Sequence, residues 1–190
     1  MDTYTAEVGQ QTLRSYIPKQ LLLVGSASYN DDGSTTEGTA EGGRQIVLYS
    51  VNDFNFELEQ IQSYAHVMHH EFAHILHQNV EYDAEFEKIT PSYSSSWMQM
   101  NDETARSKGF ITAYAFSSAD EDFAEMVSIM LTNSPEDWDN MIENAGNAAA
   151  VEALRKKEAI VVAYMKNNWG VNMKDFQKEV VAAIEAAVRN

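Results

Sequence analysis

His70-Glu71-Phe72-Ala73-His74 reads H-E-x-x-H, and the residues around it decide how the chain folds. Residues four apart on an α-helix lie one turn above each other on the same face. His70 and His74 can therefore offer two imidazole nitrogens to one metal ion. Glu71 lies beside them as a general base for a metal-bound water. Leu58, Ile61, Ala65, Met68, Phe72, Ile75 and Leu76 recur at three- and four-residue steps. That apolar face predicts one long, mostly buried helix over residues 56 to 78. Asn55 is the expected N-cap, with Glu57 and Glu59 in the first turn, where the helix dipole favours acids. The motif falls near the C-terminal end of this helix, a rigid place to hold ligands. The pattern implies a zinc metallohydrolase, and among these a peptidase.

Two His and a water leave zinc one protein ligand short, since catalytic sites usually supply three and keep one position open. His77, three residues after His74, would have to reach back across a full turn. The extended form H-E-x-x-H-x-x-G-x-x-H fails, because His77 stands where Gly is needed and Val80 where the last His belongs. His66 lies one turn before His70, but Val67 occupies the place of the base. Asp120-Glu121-Asp122-Phe123-Ala124-Glu125 suits better. Glu121 and Glu125 share a helical face, while Phe123, Met126 and Met130 mark the packed side. Glu121 is the expected third ligand. Glu125 is expected to accept a hydrogen bond from the free N–H of a ligand His and fix its tautomer. The macrodipole alone would favour acids in a first helical turn, and the upstream motif outweighs that simpler explanation. His66 and His77 are expected to be structural, and His69 to point to another face.

The length of 190 residues suits one domain with a proper core. A net charge of −16 argues against nucleic acid, because no Lys/Arg patch is available to displace counterions from phosphate. It argues equally against adhesion to anionic lipid through surface charge, and solubility is its simplest meaning. The absence of cysteine excludes disulfides, thiolate metal sites and a Cys nucleophile, without deciding the compartment. The longest aliphatic runs, Leu21 to Val24 and Ile160 to Ala163, are too short for a transmembrane helix. Residues 1 to 20 are too polar for a signal peptide, so Met1 is read as the start of a mature fragment.

The expected fold class is α+β, a single domain over residues 1–190. Residues 1–80 supply a small twisted sheet and the active-site helix. Residues 81–190 are mostly helical and carry the third ligand, with the cleft between. Leu21-Leu22-Leu23-Val24-Gly25 suits a buried strand, and Ile46 to Tyr49 an edge strand able to pair with an extended peptide. Ser28 to Gly43 reads as a long hairpin loop without periodicity. Asp31-Asp32-Gly33 is a turn there, because the ligand order of a calcium loop is missing. Residues 79 to 112 are irregular, and Ser94 to Met100, with Trp97, is expected to rim the cleft. Helices follow over Glu121 to Leu131, Glu136 to Asn144 (after Ser134 and Pro135), Ala148 to Asn167, and Met173 to Arg189 behind an Asn172 cap.

H-E-F-A-H followed by E-D-F-A-E resembles the gluzincin metallopeptidases, whose third zinc ligand is a Glu on a later helix. It is similar in detail to the catalytic domain of anthrax lethal factor, where a Tyr seven positions before that Glu assists catalysis. Tyr114 holds the matching place here. The resemblance implies a zincin-like metalloprotease fold, with Zn2+ on His70, His74 and Glu121. Glu71 would pass the water's proton to the leaving amine, and Tyr114 would donate a hydrogen bond to the developing oxyanion. A second resemblance is to zinc metallopeptidase lipoproteins encoded beside glycan-import outer-membrane systems in Bacteroides-like bacteria. It is carried by Tyr16-Ile17-Pro18-Lys19, Leu23-Val24-Gly25-Ser26, Gly38 to Gly43, His70 to Gln78 and Gly109 to Glu125, within residues 15 to 130. It implies export in a Gram-negative bacterium, a lipid anchor through an upstream segment, and association with a glycan-import complex. Two other functions stay open: an accessory scaffold of such a complex that keeps zinc for stability, and a zinc amidase acting on cell-wall or glycan-linked amides. The presence of Glu71 favours catalysis over scaffolding, since a structural site needs no base and closes its fourth position.

Overall fold

The apolar stripe around the motif folds as α1 (Leu58–Asn79). The computed structural model describes residues 15–189 apart from 32 and 42. The polar residues 1–14, read above against a signal peptide, lie outside that set, as do Asp32 and Gly42. Phe72, Ile75 and Leu76 are buried along α1, each contributing about 1.5–3 kcal/mol relative to exposure. The helix start departs from expectation. Its N-cap is Glu57, in extended conformation and without a side-chain capping bond. Asn55 Oδ1 instead accepts from the Glu57 N–H at 2.9 Å, closing a turn just ahead of the helix. Leu58 and Met68, on the expected apolar stripe, are exposed.

Among the described residues, five short strands precede it: β1 (Gln20–Leu23), β2 (Ser28–Tyr29), β3 (Thr35–Thr36), β4 (Gly38–Glu41) and β5 (Gln45–Leu48). The main sheet has the order β1-β5-β4, with β5 parallel to β1 and antiparallel to β4. This reverses the expected roles of the two aliphatic runs. Ile46, Val47 and Leu48 are central and no more than 4% exposed, whereas Leu21, Leu22 and Leu23 lie on the edge at 45–56%. By composition the runs are equivalent; packing distinguishes them, because α1 lies against β5 and β4. The long loop expected over residues 28–43 is also corrected. It holds the antiparallel β2–β3 pair and then β4. Strands this short, built from Gly, Ser and Thr, carry no period of their own. Their register comes from β5 and from a turn in which Asn30 N–H donates to Ser34 O at 2.9 Å. At Gly33 that turn takes φ 85°, relaxed only for glycine.

The second half is helical: α2 (Glu85–Ile89), α3 (Asp102–Arg106), α4 (Ala119–Thr132), α5 (Pro135–Glu143), α6 (Ala148–Trp169) and α7 (Met173–Val188). Ser118, Ser134, Asn147 and Asn172 cap α4 to α7, each side-chain oxygen accepting a first-turn N–H. α4 packs along α1. One core runs from Ile46 in the sheet through Phe72 and Ile75 to Phe123 and Met130, and on to Leu154 and Ile184. The fold is thus α+β, with a small sheet and a mostly helical C-terminal half. Among the described residues no helix is long and apolar enough to cross a membrane.

Candidate metal centre

The packing of α4 on α1 brings the two motifs face to face. His70 Nε2, His74 Nε2 and Glu121 Oε2 form a triangle with sides of 3.0, 3.0 and 3.2 Å. Ligand atoms of a tetrahedral zinc site with bonds near 2.0 Å stand about 3.3 Å apart. The triangle therefore fits zinc with almost no rearrangement. A second group of possible ligands, His66, His70 and Glu125, shares one residue with it. Its contacts to the carboxylate are shorter: Glu125 Oε1 is 2.8 Å from His66 Nε2 and 2.7 Å from His70 Nδ1. Thr112 Oγ1 donates to the other carboxylate oxygen at 2.6 Å. Both Glu125 oxygens are engaged in this way. The group orients His70 through its far nitrogen and leaves Nε2 turned to the triangle.

His74 is oriented differently. Its Nδ1 lies 2.8 Å from His77 Nε2, and His77 Nδ1 is 3.9 Å from Asp120. Burial, and then the neighbouring His74, lower the His77 pKa, so His77 is neutral and can accept a proton-bearing Nδ1. His69 faces elsewhere, buried against Phe176. His66 and His77 each complete a hydrogen-bond chain behind the triangle.

Electrostatics follow from this geometry. Burial disfavours the His70 imidazolium, but hydrogen bonds to Glu121 and Glu125 outweigh it and raise its pKa from 6.5 to about 10. Burial would raise Glu121, yet His70 and His74 bring it down to about 2. Glu125 is likewise lowered by His66 and His70 against its burial. Glu71 is held above the usual carboxylate range, chiefly by desolvation; the charges of His70 and His74, and then a backbone hydrogen bond from Ala40 of β4, partly oppose the shift. Gly38 explains the closeness of β4. A Cβ there would stand 2.5 Å from Val67 Cγ1 and 3.4 Å from Glu71 Cγ. Tyr114 sits on a single 3-10 turn (Tyr114–Phe116) just before α4. Its ring is 5.8 Å from that of His70 and packs edge-on against Trp97. Burial and then Glu121 push the phenol pKa up, so the hydroxyl stays a donor.

The triangle lies at the meeting of two lobes of an open cleft. One, of about 600 Å3, is lined by Asn30, Glu37, His66 and Trp97; the other, of about 430 Å3, by Thr39, Ala40, His77 and Asp120. Gly38, His70, Glu71, Tyr114 and Glu121 line both. Trp97 rims the cleft as its position in the chain suggested. Sequence reasoning missed the Ser118 cap, although Ser118-x-x-Glu121 is the signature of a capping box, and Ser118 Oγ accepts the Glu121 N–H at 3.2 Å. It also missed Thr112, which has no local signal.

Comparison with known proteins gives the family. A family model described as "Putative zinc-binding metallo-peptidase" matches residues 1–174. The chain belongs to this family. As a member of a zinc-binding metallo-peptidase family it takes zinc as its metal, and the His/Glu triangle is a donor set suited to that ion. A solved structure described as a "putative zinc-binding metallo-peptidase from Bacteroides caccae ATCC 43185" is similar, at 34% identity and a TM-score of 0.82. The similarity covers 100% of this chain and 73% of that one. Comparison with curated proteins gives no match.

Proposed function

We propose that this metallo-peptidase hydrolyses peptide bonds, with His70, His74 and Glu121 holding zinc, Glu71 as general base and Tyr114 as oxyanion donor. The observation that carries the reading is convergence: three ligand atoms within 3.2 Å of one another, with Glu71 and Tyr114 lining the same cleft. Zinc bound there would lower the pKa of water and polarise the scissile carbonyl. Glu71, desolvated and raised in pKa, takes the attacking water's proton and returns it to the leaving nitrogen. Tyr114 remains protonated and donates to the oxygen on which charge develops. Ser118 and Thr112 hold the segment carrying Tyr114 to α4, so these groups keep their spacing.

The strand that offers itself to a peptide is β4, not the expected Ile46–Tyr49. Among the described residues β4 pairs only with β5, and its residues Gly38, Thr39 and Ala40 line the cleft. An extended substrate can add to this edge and lie across Glu71. Export and lipid anchoring beside a glycan-import complex rest on the resemblance alone; fractionation of the full-length protein from its native cell tests them.

Cleavage of a diverse peptide library by zinc-loaded protein, with Glu71→Gln alongside, tests the activity. Cleavage by the parent and none by the variant, at equal zinc content, is the expected result. Equal cleavage by both would remove Glu71 from the mechanism. No cleavage by a zinc-loaded parent would favour the scaffold function, and cleavage of non-peptide amides alone the amidase.

A further inference from the structure

Lys157 is among the most deeply buried side chains of the protein, and the proposed mechanism does not use it. It reaches from α6 to two elements that carry the site. Its Nζ donates to Asp122 Oδ2 at 2.6 Å and to Gly109 O at 2.7 Å, and stands 4.2 Å from the Phe110 ring centroid. Asp122 follows Glu121 on α4, is itself fully buried, and also accepts from Tyr93 OH at 3.0 Å. Gly109 opens the segment that leads through Thr112 to Tyr114. At φ 87° it lies so close to α6 that a Cβ would meet that of Ala153 at 2.9 Å.

Besides the Tyr114 side chain, which itself bonds to Glu121, three fastenings hold residues 109–118 to α4. Lys157 bridges the start, Thr112 joins Glu125 in the middle, and Ser118 caps the end. Tyr114 hangs between the last two. A buried ion pair adds little net stability, because desolvation cancels much of its attraction and apolar replacements are often neutral or better. What such a pair supplies is direction: a cation with two short bonds fixes where Gly109 sits relative to Asp122.

We propose that Lys157 is a positioning residue that locks the Tyr114 segment to the helix carrying Glu121 and Glu125. This rests on the reading of Tyr114 given above. The test compares zinc-loaded parent protein with Lys157→Met/Asp122→Asn, which removes both charges together, and with each of these carrying Tyr114→Phe. In the double variant, zinc content and KM stay within about threefold, kcat falls at least about tenfold, and adding Tyr114→Phe costs at least about tenfold less than it does in the parent. Amide exchange over residues 110–116 rises at least about tenfold while α4 and α6 stay protected. Unchanged exchange overturns the proposal, as does a Tyr114→Phe penalty of the same size in both backgrounds. If the double variant fails to fold, the parent decides. Residues 110–116 then exchange as slowly as α6, and exchange as fast as that of the surface turn at 30–34 overturns the clamp. A parent that cuts no peptide, or a Tyr114→Phe change without effect in the parent, would sink the mechanistic reading instead. The exchange measurement still decides the clamp in that case.

Discussion

Replacing His77 tests whether an imidazole can do for His74 what a carboxylate does for His70. With His74 Nε2 turned to the triangle, its Nδ1 carries the proton and donates to His77 Nε2 at 2.8 Å. His77→Ala removes the acceptor from a place only 7% exposed. Loss of such a partner typically weakens metal binding 10–100-fold, about 1.4–2.7 kcal/mol. The lower half of that range is expected here. His77 lines the open cleft, so water can enter and accept part of the bond. His77→Gln, which restores an oxygen near the same position, should recover most of the affinity. Competition with a chromogenic zinc chelator at pH 7.5 reads the effect directly, with circular dichroism as a control for folding. A folded His77→Ala variant that binds zinc within about twofold of the parent would refute the reasoning.

Other outcomes follow from the same geometry. Tyr114→Phe should lower kcat by about 100-fold with KM little changed, measured on the best peptide from the library; an equal loss in KM instead would assign Tyr114 to substrate binding. Glu125→Ala leaves His66, His70 and Thr112 without their shared acceptor and should cost zinc affinity about 100-fold, more than His77→Ala. Zinc binding should release at least one proton near pH 8, because Glu121 and Glu125 raise the metal-free His70 pKa to about 10 and His70 must lose a proton to become a ligand; calorimetry in two buffers of different ionisation heat reads this number. The same raised pKa has a consequence for stability. The His70 contribution in metal-free protein is fully present below 6.5 and is lost as pH rises through about 10, so the metal-free melting temperature should fall over that window. Gly38→Ala should destabilise the protein by about 1–3 kcal/mol and lower activity, because the added methyl forces β4 away from Val67 and Glu71; an unchanged melt would mean that the strand yields freely.

Much of the site was legible because its geometry is local. The spacing of His70, Glu71 and His74 on one helix follows from the α-helical period alone, as does the shared face of Glu121 and Glu125. Helices α4 to α7 were readable to within two residues or so, since caps such as Ser134 and Asn172 act on the turn beside them. The Ser118 cap was equally local.

Packing decided the rest. Only the docking of α4 on α1 determines that Glu121 meets His70 Nε2 while Glu125 meets Nδ1. The same holds for Thr112 and Lys157, which reach across the core to partners 13, 35 and 48 residues away, whereas His77 meets His74 from three residues further along the same helix. The sheet was the weakest reading for the same reason. A run such as Leu21–Leu23 or Ile46–Leu48 states that a strand is favourable, but a strand becomes central only when neighbours close on both its edges. Helical order is set by residues three and four apart, and so is written along the chain. Strand order and the Glu125 anchor of His70 depend on residues brought together by the core, and that information exists only in the folded molecule.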